Sequence, residues 1–232
     1  MKTRSTIAII PCYDVAPFCE KVICDTIRFV DHVIVIDDGS RDGTTAILKT
    51  LAARYPEQIS AQIFPKNRGK GVVLLEGFRY SLSHFAFKTL VTLDGDGQHH
   101  PEEIPLLLKA AQRKDFIIGE RKFEQMPWKS KFANSIVSWL LRWIHPNAPL
   151  DTQSGMRAFS KPLVQKIAQS IPGGGYEMEF RCLLLALQPP WQLEEVPITT
   201  TYIEKNRFSH FSAIKDSIKI LRVLVSHILR KQ

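Results

Sequence analysis

Short, wholly apolar runs alternate with helical segments through the first half of the chain, and this alternation limits the fold more than any other feature. Residues 7–10 form the first run, which closes at P-C-Y-D and leads into a helical stretch to about residue 29. V-I-V-I ends at Asp37 and Asp38, with a helical stretch over residues 44–54 behind it. Residues 59–64 form a third strand, followed by N-R-G-K-G and a helix to about residue 83. T-L-V-T-L ends at Asp94, a helix starts at Pro101, and residues 116–118 make a fifth strand. Strands separated by helices of this length predict βαβ units, hence an α/β fold with a mainly parallel sheet. Strands this uniformly apolar suit a sheet covered on both faces.

The second half is less regular. A helix is expected over residues 130–144, with Trp139 and Trp143 at i, i+4 spacing read as core or acceptor-side packing. Residues 151–159 read as a strand or ordered loop, 176–187 as an apolar helix, 193–197 as a strand, 199–210 as a loop and 211–230 as a final helix. No repeat or linker-like tract marks a second domain, so residues 1–232 are expected to form one.

In an open parallel sheet, ligands bind beyond the carboxyl ends of the strands. Polar residues gather at those ends: Pro11, Tyr13 and Asp14, then Asp37 and Asp38, Lys70 after the third strand, Asp94 and Asp96 after the fourth, and Arg121 after the fifth. In D-G-D-G-Q, Asp94 and Asp96 can converge on one hard cation, with Gln98 close by, and Gly95 leaves room for a phosphate. Oxygen donors suit Mg²⁺ or Mn²⁺. Alone, the same five residues would serve as an acidic turn. Asp38 is the candidate for ribose hydroxyls or a base edge, while Ser40 or Asp42 caps the following helix. In N-R-G-K-G, Lys70 lies at a helix start that attracts phosphate, although a plain turn with a solvated lysine fits equally. His99 and His100 are adjacent and share no helical face, which argues against a two-histidine zinc site; one of them is expected near the metal or acceptor.

Composition narrows the partners. The formal net charge of +8 suits phosphate, nucleic acid or an acidic membrane surface. Nucleic acid is set aside, because no basic face interleaved with aromatics and no nucleic-acid motif is present. Cys12, Cys19, Cys24 and Cys182 form no CxxC pair, so zinc and dithiol chemistry are not expected and a reducing, cytoplasmic setting is. No apolar run approaches the roughly 18–20 residues that span a bilayer. The chain is therefore expected to be soluble or peripheral on a membrane.

In order and spacing, I-I-P-C-Y, V-I-D-D-G-S-R-D-G-T, N-R-G-K-G, L-D-G-D-G-Q-H-H-P-E-E-I, I-I-G-E-R, D-T-Q-S-G-M-R-A-F and E-V-P-I resemble glycosyltransferase family 2, in the branch of the dolichyl-phosphate mannose synthases and bacterial polyprenyl-phosphate sugar synthases. The segment Y-I-E-K-N-R-F-S-H-F resembles the closing signature of a bacterial branch. The resemblance implies a GT-A fold, a nucleotide-diphosphate sugar as donor and inversion at the anomeric carbon. It implies a nucleotide-sugar-binding half over about residues 1–121, an acceptor-side half over about 122–198, and a loop with a basic amphipathic helix over about 199–232. Pro11, Tyr13, Ile36 and Asp38 would line the nucleoside pocket, with Lys70 and Gly95 also on the donor side. Asp94, Asp96 and Gln98 match metal and diphosphate positions, Arg121 a donor-phosphate arginine, and Asp151 an acceptor-side motif. Val15 stands where the family commonly has a carboxylate against the base, which leaves the nucleotide open.

Two acceptors are compatible with these residues. A glycan hydroxyl needs a base, for which Asp151 is the candidate. A polyprenyl phosphate is already anionic and would be oriented by Arg157 and Arg207, although both arginines also read as surface salt-bridge partners. Ile214, Ile218, Leu221, Val225 and Ile228 recur at helical spacing beside Lys215, Lys219, Arg222 and Arg230. That pattern serves either a membrane-surface helix or a terminal helix packed on the domain. A catalytically silent nucleotide-binding protein is the competing class.

Overall fold

The computed structural model describes residues 2–121, 128–201 and 213–229. Its centre is a seven-stranded sheet ordered β4–β3–β2–β6–β8–β7–β9, built from β2 (Thr6–Cys12), β3 (His32–Asp37), β4 (Ile59–Ile63), β6 (Thr89–Thr92), β7 (Phe116–Arg121), β8 (Arg157–Ser160) and β9 (Leu193–Ile198). β2 pairs in parallel with β3 and β6, and β3 with β4. β8 runs antiparallel between β6 and β7, and β7 is parallel to β9. The sheet is thus mainly parallel with one reversed strand. β1 (Lys2–Thr3) and β5 (Phe85–Ala86) make a separate two-stranded parallel pair.

The period-2 alternation of each strand feeds two cores. Ile7, Ile9, Ile34, Ile36, Phe116 and Ile118 face α3 (Lys70–His84), α5 (Trp128–Ile144), α6 (Lys161–Ser170), α7 (Glu177–Ala186) and α8 (Ala213–Leu229). Ala8, Ile10, Val33, Val35 and Ile117 face α1 (Ala16–Thr26), α2 (Thr44–Arg54) and α4 (Ile104–Ala110). Gly77 lets α3 lie close on the sheet, since a Cβ there would meet the side chains of Ile9 and Ile36 at 2.9–3.0 Å. Ile36 is therefore fully buried beneath α3. It supports the strand whose end carries Asp37 and Asp38, and the nucleoside contact expected of it is corrected on that ground.

α6 was absent from the expected elements. Its signal is local: Ser160 at the N-cap and proline in the first turn. Pro101 opens a short 3₁₀ turn, Pro101–Glu103, before α4. In the segment read as strand or loop over residues 151–159, only Arg157–Ser160 is strand. The loop expected over 199–210 lies outside the described residues from 202 onward.

Candidate active site

Loops at the carboxyl ends of β2, β3 and β6, joined by residues of α3, α7 and α8, enclose a cavity of about 460 Å³. Pro11, Tyr13, Asp38 and Asn67 line one part; Asp94, Gly95, Asp96, Gln98 and His99 line another; Tyr176, Glu179 and Phe180 complete a third. All the strand-end candidates except Asp14 and Asp37 reach this wall, Lys70 and Arg121 included.

Hydrogen bonds from backbone N–H groups shape the loops after β2 and β3. The Asp38 carboxylate accepts from Arg68 N at 2.6 Å and Gly69 N at 2.9 Å, which ties β3 to the turn before α3. Burial raises its pKa, and those two bonds partly offset the rise. Asp37 accepts from Ser40 N and from the Thr45 hydroxyl. Asp42 accepts from Thr44 N at 2.9 Å and Ala16 N at 3.0 Å, so it serves the first turns of both α1 and α2. Gly39, at φ 74°, packs a would-be Cβ against the Lys66 backbone, a position only glycine fills without strain.

Around D-G-D-G-Q the charges are dense. Lys70 Nζ lies 2.7 Å from Asp94 Oδ1 and 3.0 Å from Glu179 Oε2. Burial alone would lower the lysine's pKa, but Asp94 and Glu179 outweigh it and hold the ammonium charged. For Asp94, the same Lys70 contact overcomes burial and lowers the pKa. Asp96 makes no ion pair among the described residues: burial and the neighbouring Asp94 charge push its carboxyl up to about 6, against a weaker opposing pull from Gln98 and Lys70. Gln98 donates to Asp96 through its backbone N at 3.1 Å and its Nε2 at 2.8 Å. His99 is buried, its pKa is lowered to about 4 by desolvation, and its Nδ1 accepts from Asp94 N at 3.3 Å. It is a neutral ring that shapes the turn, and its 4.0 Å approach to the Asp94 carboxylate is no ion pair. Gly155 lies opposite, where a Cβ would push the Asp94 carboxylate aside.

These oxygens suit a hard divalent cation. Among the described residues no group of three or more His, Cys, Asp or Glu side chains is assembled as a metal cage. Asp94, Asp96 and Gln98 are the residues that would hold such an ion.

Two expected catalytic residues play other parts. Asp151 is fully buried and does not line the cavity. It accepts from Arg121 Nε at 2.6 Å, Arg121 Nη2 at 2.9 Å, Asn134 Nδ2 at 2.9 Å and Gln153 N at 3.1 Å. Arg121 and these bonds outweigh desolvation and depress its pKa, the reverse of what a general base needs. Arg157 lines the cavity but spends its guanidinium on the carbonyls of Ser154, Glu179 and Thr152, at 2.7, 2.6 and 3.3 Å. It braces the loop before β8 against α7, and at 1% exposure it is not the surface salt-bridge partner it also read as. Arg207 lies outside the described residues. Glu179 was missed by sequence reasoning; within an apolar helix it reads as an ordinary first-turn acid.

A mainly parallel sheet with one reversed strand and acidic strand ends around one cleft is the GT-A architecture of glycosyltransferases. Residues 7–166 match the glycosyl transferase family 2 profile, and the chain belongs to that family of glycosyltransferases. It is 31% identical over 217 residues to polyprenol monophosphomannose synthase of Mycolicibacterium smegmatis, covering 86% of this chain and 78% of that one. It is 28% identical over 215 residues to UDP-N-acetylglucosamine–dolichyl-phosphate N-acetylglucosaminyltransferase of Methanococcus voltae, covering 84% and 85%. Its fold is similar to that of glucosyl-3-phosphoglycerate synthase from Mycobacterium tuberculosis, solved with Mn²⁺, UDP and glucosyl-3-phosphoglycerate, at TM-score 0.71 and 18% identity over 96% of this chain and 79% of that one.

Proposed function

We propose that the chain transfers a sugar, with inversion, from a nucleotide-diphosphate donor to a polyprenyl phosphate. The carrying observation is the single cavity in which Pro11, Tyr13 and Asp38 face one part and Asp94, Asp96, Gln98 and Lys70 another. The first group suits a nucleoside and the second a diphosphate. Relatives named for polyprenol and dolichyl-phosphate transfer support the acceptor.

The state of Asp151 supports the same acceptor. A hydroxyl acceptor must lose a proton to a base, and Asp151, the residue expected for that task, is locked to Arg121. A phosphate oxygen is anionic already and attacks without one. In this reading Lys70 neutralises donor phosphate charge, Gln98 and Asp96 hold Mg²⁺ or Mn²⁺ with Asp94, and Arg207 orients the acceptor phosphate. A bound cation would stabilise charge growing on the departing diphosphate. The sugar's C1–O bond to the diphosphate breaks as the acceptor oxygen bonds to C1 from the opposite face.

Thermal stabilisation by a panel of nucleotide sugars, with and without Mn²⁺, identifies the donor; transfer is then assayed with polyprenyl phosphate in detergent. Metal-dependent transfer to the lipid phosphate, lost in a folded Asp96→Ala variant, is expected. Transfer only to a soluble saccharide rejects the acceptor, and unchanged turnover by Asp96→Ala rejects the metal site.

A further inference from the structure

Helix α5 faces the wrong way for a helix that ends at water. Its inward residues are Asn134, Val137, Ser138 and Leu141, all buried. Its outward residues include Phe132, Ile136, Trp139 and Trp143, which are 66%, 38%, 71% and 82% exposed. These four recur at i, i+4, i+7 and i+11 and form one stripe. Of the two readings of the Trp pair, core or acceptor-side packing, this exposure excludes the core.

The inversion has a local cause. Asn134 and Ser138 are needed inside: Asn134 donates to Asp151 and accepts from Thr152 N and its hydroxyl, and Ser138 donates to the Pro149 carbonyl. The polar residues of α5 hold the loop that holds Arg121, and the aromatic face is left outward. α8, packed on α5, repeats the pattern. Ile220, Val223 and Leu224 are buried, whereas Ile218, Val225 and Leu229 are 46%, 53% and 66% exposed.

Charge selects the occupant of this surface. α5 contains no acidic residue, and the one acid of α8, Asp216, is buried. The exposed residues beside the stripes include Lys131, Arg142 and Arg222. Glu195 lies near Arg142 and Glu177 near Arg222, both on other elements, so a second copy of the same face would still set the basic residues of α5 and α8 against their own kind. An anionic bilayer supplies the missing charge and accepts tryptophan at the depth of its headgroups.

We propose that the outward face of α5, extended by α8, docks the protein on an anionic lipid surface, with Trp139 and Trp143 as the inserting side chains. The basis is the surface itself, so the proposal stands or falls separately from the choice of acceptor. No described helix is long and apolar enough to cross a membrane, which makes this a lateral contact.

The test is flotation with phosphatidylcholine vesicles containing about one-third phosphatidylglycerol, without any substrate, read together with tryptophan emission. The full chain floats with these vesicles, its emission shifts to the blue, and binding weakens in high salt or without phosphatidylglycerol. A Trp139→Ser/Trp143→Ser variant, whose melting curve checks its fold, loses about tenfold or more in partitioning and most of the shift. Arg142→Glu/Arg222→Glu weakens binding to anionic vesicles without touching the aromatic stripe. Failure of the unaltered chain to float overturns the proposal, as does unchanged binding by the double-serine variant. Sedimentation showing a dimer that this variant abolishes also overturns it, by assigning the face to a second copy.

Discussion

Arg121 and Asp151 form a fork-to-fork ion pair, with Nε to Oδ2 at 2.6 Å and Nη2 to Oδ1 at 2.9 Å, and the carboxylate is fully buried. This pair joins the end of β7 to the loop before β8 and sets the position of an arginine on the cavity wall. Removing one partner of a buried pair strands the other, at a cost of roughly 3–5 kcal/mol. Asp151→Asn is therefore expected to destabilise the fold by about that amount at neutral pH. The folded pKa of Asp151 is depressed, so its contribution is complete above the ordinary carboxylate value of about 4 and disappears as pH falls through the folded value. Urea denaturation of both proteins at several pH values should show a gap that is constant near neutrality and closes in acid. A gap independent of pH would mean that Asp151 gives up no ion pair on protonation.

Arg157 makes a contrasting prediction. Its three carbonyl acceptors belong to Ser154, Thr152 and Glu179, and it is 1% exposed. Arg157→Ala leaves three buried carbonyls short of a donor and opens a cavity, a loss of about 3–5 kcal/mol. Arg157→Lys recovers only part, because an ammonium on a narrower stem does not reproduce the planar fork. A variant that melted like the parent but lost acceptor affinity would return Arg157 to phosphate recognition.

Lys70 is the positive charge between Asp94 and Glu179. Lys70→Ala leaves two carboxylates in one poorly solvated site, expected to cost on the order of 3 kcal/mol and to abolish donor turnover. A divalent cation restores the missing charge, so Mn²⁺ should raise the melting temperature of Lys70→Ala more than that of the parent protein. Equal shifts would indicate that the cation binds away from Asp94.

The strand ends were legible in the sequence because an acid closing a buried apolar run has one available place, the sheet edge. Asp38, Asp94 and Asp96 reach the cavity wall for that reason, joined there by Lys70 at the start of α3 and Gln98 in the turn after β6. Ile36 was misread because a motif cannot tell which of two alternating residues lies under a helix. The buried networks of Asp151 and Arg157 were not legible because their partners are long-range: Arg121 lies 30 residues from Asp151 and Glu179 lies 22 from Arg157. On α5, spacing identified the Trp139–Trp143 stripe but not its direction, which depends on Asn134 reaching Asp151.

Gly155 tests the site sharply, because it lines the cavity and brings no side chain of its own to it. The Cβ of an alanine would meet both oxygens and the carboxyl carbon of Asp94. Asp94 is anchored to Lys70 and its backbone N to His99 Nδ1, so it has little room to yield. Gly155→Ala should therefore leave secondary structure intact while it displaces the carboxylate and weakens nucleotide-sugar binding by at least about tenfold, or ~1.4 kcal/mol. Isothermal titration with the donor and Mn²⁺ reads this directly. Wild-type affinity in a folded Gly155→Ala protein would show that Asp94 does not need its observed position for donor binding, and the diphosphate assignment for this half of the cavity would have to be abandoned.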